Sequence, residues 1–392
     1  TFMKRALLGT LAAGVVPAIV PGLGLRSARA AGTLKVGVLI PLSGPAGLFG
    51  PSARDCSQLA ADEINARGGI LGQQIELLFG DAGAPPAVSA QTALQLWKGQ
   101  GARAFIGMHD SAVREAVVGV FNGQVPYIYC STYEGGACSK GLFLMAQTPE
   151  QQLEPVIPWL AQSKTLKRWY LIGNDYIWPR RTNAVAKTYI SKIHGSVVGE
   201  EYLPFSVSNF DSNLAKIRES KADVVLVTLV GGSSVGFNRS FASFGLADQA
   251  LRLGTLIDEN TLAGIGAQNS KGIYSSAGYF AALHNPAADK FSAAYHKKFG
   301  AKAPLLSALS ESCLEGLLLL DAFASKAGSI SVDAFQKVEP GLSYDGPRGR
   351  IVMHHQHATM NDYLAVADGA SYKVVHTFPD VSPGQTSCDI KA

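Results

Sequence analysis

From Leu34 onward, short β-branched runs alternate with longer stretches whose apolar positions recur every three or four residues. That alternation predicts βαβ units around parallel sheet. Residues 34–40 read as the first strand and 49–66 as a helix, with Leu59, Ala60, Glu63 and Ile64 at helical spacing and Gly68-Gly69 as its stop. The cycle repeats with strands at 75–79, 104–107 and 127–130 and helices at 86–98 and 111–121. After Pro149 a second series starts with a helix to 162, then strands at 169–172, 197–203, 224–229 and 253–256 separated by helices at 181–194, 211–219 and 234–244. The remainder holds helices at 286–299 and 305–326 and a hairpin-like block at 351–355, 363–367 and 373–377. Such a tail is too small for a third core. The pattern therefore predicts an α/β chain of two doubly wound open-sheet lobes, completed by the tail and joined by three crossovers. The expected boundaries are 33–147 with 276–346 for one lobe, 148–275 with 347–381 for the other, and 382–392 as a C-terminal tail.

Composition changes the picture at the N-terminus. Of the 392 residues 47% are hydrophobic and the formal charge is +4, but Lys4, Arg5, Arg26 and Arg29 all lie in 1–30, which hold no acid. Without them the remaining 30 basic residues match the 30 acidic ones, which argues against nucleic acid as a partner. Lys4-Arg5, an apolar stretch from 6 to 20 and Ala28-Arg29-Ala30 have the anatomy of an export signal, cleaved to leave a mature protein near Ala31 in the periplasm. Thr1-Phe2-Met3-Lys4 would complete a twin-arginine pattern if Arg-Arg preceded it. Five cysteines allow two disulfides, and the expected one joins Cys130 to Cys138 across a loop with paired glycines; Cys56, Cys313 and Cys388 have no assigned partner.

Three motifs are weighed and set aside. Gly44-Pro45-Ala46-Gly47 occupies the place of a dinucleotide loop, but Ala46 stands where the second glycine should be, so no cofactor is expected. Gly232-Ser233-Ser234-Val235-Gly236 matches a nucleophile elbow after a strand, with Asp258 and His284 or His376 downstream, and makes a secreted serine hydrolase using Ser234 the rival reading. In His354-His355-Gln356-His357, residues 355 and 357 would share a strand face with no third ligand, so no metal is expected. The loops after the strands are more informative. His109-Asp110-Ser111, Tyr129 to Glu134, Asn174 to Trp178, Gly231 and Asp258-Glu259 all fall at predicted strand ends, where open α/β sheets bind ligands. They offer aromatic walls, hydroxyls and two acids, but no base–nucleophile pair. That set suits holding a small polar molecule, not cleaving it.

Several segments carry a resemblance: Val36 to Gly44, Ala61 to Gly72, Tyr133-Glu134-Gly135, Gly173 to Arg180 and Tyr344 to Pro347. The mature chain resembles the type I periplasmic binding proteins of ABC importers, within the Leu/Ile/Val-binding family and nearest its urea and short-chain amide branch. The resemblance implies a non-enzymatic receptor closing two lobes over its ligand and delivering it to a membrane permease. Its ligand positions fall on His109, Ser111, Tyr129, Ser131, Thr132, Tyr133, Tyr176, Trp178, Gly231 and Asp258 or Glu259. The ligand so implied is a small amide, a urea-like molecule or an amino acid, with a branched-chain or aromatic amino acid as the alternative. His109 and Trp178 stand where amide binders resemble Tyr, which points to a larger or differently charged ligand.

Overall fold

The computed structural model describes residues 32–384; the expected signal, its cleavage site, the end of the C-terminal tail and Cys388 lie outside them. The first part of the chain gives β1 (Thr33–Ile40), α1 (Gly50–Ala66), β2 (Gln74–Asp81), α2 (Pro86–Leu94), β3 (Ala104–Gly107), α3 (Ser111–Phe121), β4 (Tyr127–Tyr129) and β5 (Leu142–Leu144). The second gives α4 (Pro149–Leu153), α5 (Val156–Lys164), β6 (Arg168–Asn174), α6 (Ile177–Lys192), β7 (Ser196–Leu203), α7 (Asp211–Ser220), β8 (Val224–Thr228), α8 (Gly231–Ser243), β9 (Leu251–Gly254), α9 (Glu259–Ile265) and β10 (Ile273–Ala277). The tail contributes α10 (Pro286–Phe299), α11 (Ala308–Ala327), α12 (Val332–Val338), β11 (Ser343–Gly346), β12 (Gly349–His354), β13 (His357–Asp368) and β14 (Ser371–Val381).

The strands run β2-β1-β3-β4-β5 in one half and β10-β9-β8-β6-β7 in the other, and β13 lies between β5 and β10. Within each half the pairing is parallel, as βαβ crossovers require. The halves are thus α/β and doubly wound. Both faces are covered, so β8 is buried along its whole length and reads in sequence as an unbroken apolar run. Helix α11 lies in the core of the first half with α1, returning the tail to the place where the chain began. Strand β13 pairs with β5 at His357 and with β10 from Tyr363 to Val366, so one 12-residue strand serves both halves.

Several expectations are corrected. The helix expected over 86–98 keeps α-helical geometry only to Leu94 and ends in a π turn at Gln95–Gly99. Helix α6 starts at Ile177, before the expected 181, because Tyr176 is extended and serves as its N-cap residue. The two histidines expected to share a strand face do not: His355 and Gln356 have φ of 50° and 64° and form the turn between β12 and β13, where His354 pairs with His357. The Cys130–Cys138 bridge is not formed. Cys130 is a free thiol buried at the end of β4, in space that Gly316 of α11 leaves open, and Cys56 and Cys313 are also free and buried. Cys138 is exposed and is disulfide-bonded. Among the described residues no helix is long and apolar enough to cross a membrane.

Candidate functional site

The loops after β3 and β4 build one wall of a cleft. Asp110 caps α3, its carboxylate accepting from the Val113 N–H at 2.9 Å, and so satisfies one of the free donors of the first turn. Glu134, buried in the loop after β4, holds two partners at once. Its Oε2 accepts from Ser111 Oγ at 2.5 Å and its Oε1 from Arg114 Nη2 at 2.5 Å. The Arg114 guanidinium in turn sits 5.2 Å from the Tyr129 ring centroid and 5.1 Å from that of Tyr133, within cation–π range of both. Because Ser111 gives its only hydroxyl proton to Glu134, it has only lone pairs left to offer.

His109 is tied in the same way. Its Nδ1 lies 3.1 Å from the Asp110 carbonyl oxygen and its Nε2 2.7 Å from Tyr127 Oη, while Tyr129 Oη donates to the His109 carbonyl. Burial, with help from the nearby Arg114 charge, pushes the imidazole pKa down to about 4. Near neutral pH the ring is therefore uncharged, with Nδ1–H donating and Nε2 accepting.

The facing wall comes from the loops after β6 and β8. Tyr176 at the start of α6 lies between Trp178 and Phe205, with ring centroids 6.2 and 5.3 Å away. Trp178 is 1% exposed, and its indole Nε1 has no hydrogen-bond partner. Asn174 Oδ1 accepts from the Val230 N–H at 2.8 Å and from Ser233 Oγ at 3.1 Å, holding the two loops together. The walls meet at a seam. Gly231 has φ of 54°, a Cβ there would fall 2.0 Å from the Pro45 carbonyl oxygen, and the Gly232 N–H donates to that oxygen at 3.2 Å. Only glycine permits this approach. Between the walls remains a cavity of about 100 Å³, with Ser111, Ser131 and Thr132 on one side, Tyr176 and Trp178 on the other, and Phe49, Met108 and Leu309 as apolar lining.

Comparison with known proteins places this architecture. The family described as periplasmic binding protein matches residues 33–371. The chain belongs to the periplasmic binding protein family. A Leu/Ile/Val-binding protein homolog of Brucella melitensis is 26% identical over 369 residues, covering 90% of this chain and 93% of that relative. A solute-binding protein of an ABC transporter from Rhodopseudomonas palustris, solved with p-hydroxybenzoic acid, superposes with a TM-score of 0.82 at 22% identity over 90% of this chain and 98% of its own. An amino-acid ABC transporter substrate-binding protein from Pseudomonas fluorescens gives 0.82 at 18% identity, over 92% of this chain and 100% of its own.

In this periplasmic binding protein, six of the expected site residues line the one cavity: His109, Ser111, Ser131, Thr132, Tyr176 and Trp178. Tyr129 and Tyr133 stand behind the first wall, and Gly231 forms the seam. Asp258 and Glu259 lie elsewhere. Asp258 caps α9 through the Thr261 N–H at 2.9 Å and lines a separate, smaller chamber. Glu259 Oε1 accepts from the Ala281 N–H at 2.6 Å; burial, reinforced by the adjacent Asp258, pushes its pKa up to about 8.

Members of the family bind solutes and are not enzymes, which removes the hydrolase reading. The geometry agrees: Ser234 is buried in α8 against Asn238, and among the described residues no histidine hydrogen-bonds to it. The His284 side chain is 83% exposed and sits beside Asp289. Residues not anticipated are the apolar lining Phe49, Met108, Phe205 and Leu309, and the Arg114–Glu134 pair. For Arg114 a signal existed, since it lies three residues after Ser111 on the same helix face.

Proposed function

We propose that this protein is the periplasmic receptor of an ABC importer and that it captures a small aromatic carboxylate between its two walls for delivery to a membrane permease. The observation that carries this reading is a largely apolar, aromatic cavity with the Ser131 and Thr132 hydroxyls on one wall, where a carboxylate can accept from them. The buried Trp178 Nε1 is a spare donor on the opposite wall. The one carboxylate residue lining this cavity, Asp110, is engaged as the cap of α3, and Asp258 and Glu259 do not line it, which leaves an ammonium group with less to pair with than a carboxylate. Similar folds from Rhodopseudomonas palustris that were solved with p-hydroxybenzoic acid and benzoate support the ligand class.

A branched-chain or aromatic amino acid is the second reading, favoured by Ser111, whose lone pairs would accept from an ammonium group. An amide or urea has less support, because so small a polar molecule would leave the aromatic wall facing water. A thermal-shift panel of benzoate, leucine, acetamide and urea tests the choice. A ligand at 100 times its Kd stabilises the fold by about 2.7 kcal/mol, a rise of a few degrees in Tm. Benzoate is expected to give that rise; a shift with leucine or urea and none with benzoate refutes the aromatic reading.

A further inference from the structure

The chain passes between the two halves three times: after β5, where α4 joins the second core; after β10, where α10 returns to the first; and along β13, which pairs with both. One line of hydrogen bonds touches all three passages. Gln152 of α4 donates through Nε2 to the Ser276 carbonyl of β10 at 2.8 Å and to the Thr255 carbonyl at 2.8 Å. Ser276 Oγ lies 2.8 Å from the Gln152 carbonyl oxygen and 2.8 Å from Asp362 Oδ2 of β13. Asp362 is fully buried, beside the point where the ladder between β13 and β14 slips in register.

The hydrogens along this line do not balance if Asp362 is ionised. Ser276 Oγ carries one hydrogen and faces two acceptors, and the Gln152 carbonyl has none to give. Both contacts are hydrogen bonds only when Asp362 Oδ2 bears a proton and donates to Ser276 Oγ, which donates on to Gln152. The surroundings agree. Among the described residues Asp362 Oδ1 has no partner. Arg348 Nη1 reaches Met360 Sδ, two residues earlier on β13, at 3.7 Å, but the guanidinium is paired with Glu311 and Glu315. On the packed elements, Glu150 of α4 faces Arg181, Tyr274 of β10 packs in the second core, Tyr372 of β14 donates to the Ile257 carbonyl and His376 stacks on Trp159. On β13 itself His357 is held by the His355 carbonyl and Tyr363 donates to the Arg348 carbonyl, while Glu154, Asp368, Lys373 and Asp380 are exposed. A buried carboxyl without a counter-charge is held neutral, and burial keeps Asp362 well above the usual carboxylate range with only the Ser276 contact opposing.

We infer that Asp362 is a proton-bearing pin at the three passages: as a neutral acid it completes the line from Asp362 through Ser276 to Gln152, and losing its proton to solvent at alkaline pH breaks that line and frees the passages on which the halves turn. Infrared spectra and backbone hydrogen exchange of the protein test it. Near neutral pH the wild type should show the carbonyl stretch of a protonated carboxylic acid that Asp362→Asn lacks. Ser276→Ala keeps the acid and removes its acceptor, so it should shift that band without abolishing it. As pH rises, amides of β10 and β13, corrected for their intrinsic exchange rates, should lose protection about tenfold in the wild type, the value of one hydrogen bond. They should stay protected in Asp362→Asn, whose amide donates to Ser276 without titrating. Glu259 titrates in both proteins and cancels in the comparison. A band that Asp362→Asn does not lose, or that Ser276→Ala does not shift, overturns the pin. The same pH dependence of exchange in the wild type and in Asp362→Asn overturns its hold on the passages.

Discussion

The two walls of the cavity are built on opposite terms. In the wall from β3 and β4 most of the buried polar groups partner one another, Ser111 and Arg114 Nη2 on Glu134, His109 on Tyr127 and Tyr129 on the His109 carbonyl, with Arg114 Nη1 and Tyr133 Oη left over. In the wall from β6 and β8 the aromatics line up without such ties, and Trp178 Nε1 is left unpaired. The first wall therefore holds its shape whether or not a ligand is present. The second meets the first at the Gly231 seam and leaves an unpaired donor, Trp178 Nε1. A receptor needs both: a preformed half that recognises and a closing half that is stabilised by what it covers.

Breaking the first wall should have the largest effect. Arg114→Ala leaves Glu134 as an uncompensated buried charge, and the expected loss is about 3–5 kcal/mol of stability in urea unfolding. A loss under about 1 kcal/mol would mean that the pair does not hold the wall. Gly231→Ala attacks the seam, where a Cβ meets the Pro45 carbonyl. It should weaken ligand affinity at least tenfold while lowering stability by only about 1–2 kcal/mol for the left-handed backbone, and scattering should show the liganded protein more open. Unchanged affinity would place the closing contact elsewhere.

Two smaller effects depend on pH. The Glu259 pKa is raised from its usual value to about 8, so the protein holds a proton that the unfolded chain has released. Its stabilising contribution is full below about pH 4.5 and is lost as pH rises through 8, so Glu259→Gln should flatten the fall in Tm over that range. His109 has its pKa lowered to about 4, so its contribution is present above pH 6.5 and is lost as pH falls toward 4. His109→Gln should soften the acid limb alone; identical limbs would show that the ring is solvated in the native state.

Much of this was legible in the residue pattern. Strands covered on both faces announce themselves as apolar runs, as β1 and β8 do, and the hydroxyls and aromatics of the site sit at strand ends where the topology puts ligands. What escaped has physical causes. Strand β5 has three residues and α12 seven, too few for a period to show. The His355-Gln356 turn takes positive φ without glycine or asparagine. Arg114 and Glu134 are 20 residues apart and meet only in the fold. Asp258 caps α9 and lines the smaller chamber, a placement invisible in sequence because a carboxylate at a strand's end looks the same whether it faces a cavity or caps a helix. Glu311 and Glu315 of α11 turn inward to Arg348, 37 and 33 residues away in the chain, so that pairing too appears only in the fold.

The account stands most directly on Trp178, which lines the second wall with an unpaired indole. Titrating benzoate while following intrinsic fluorescence should give a saturable change in the wild type that disappears in Trp178→Phe, even though the other tryptophans remain and calorimetry still detects binding. The same change persisting in Trp178→Phe would contradict the claim that the ligand is held between these two walls.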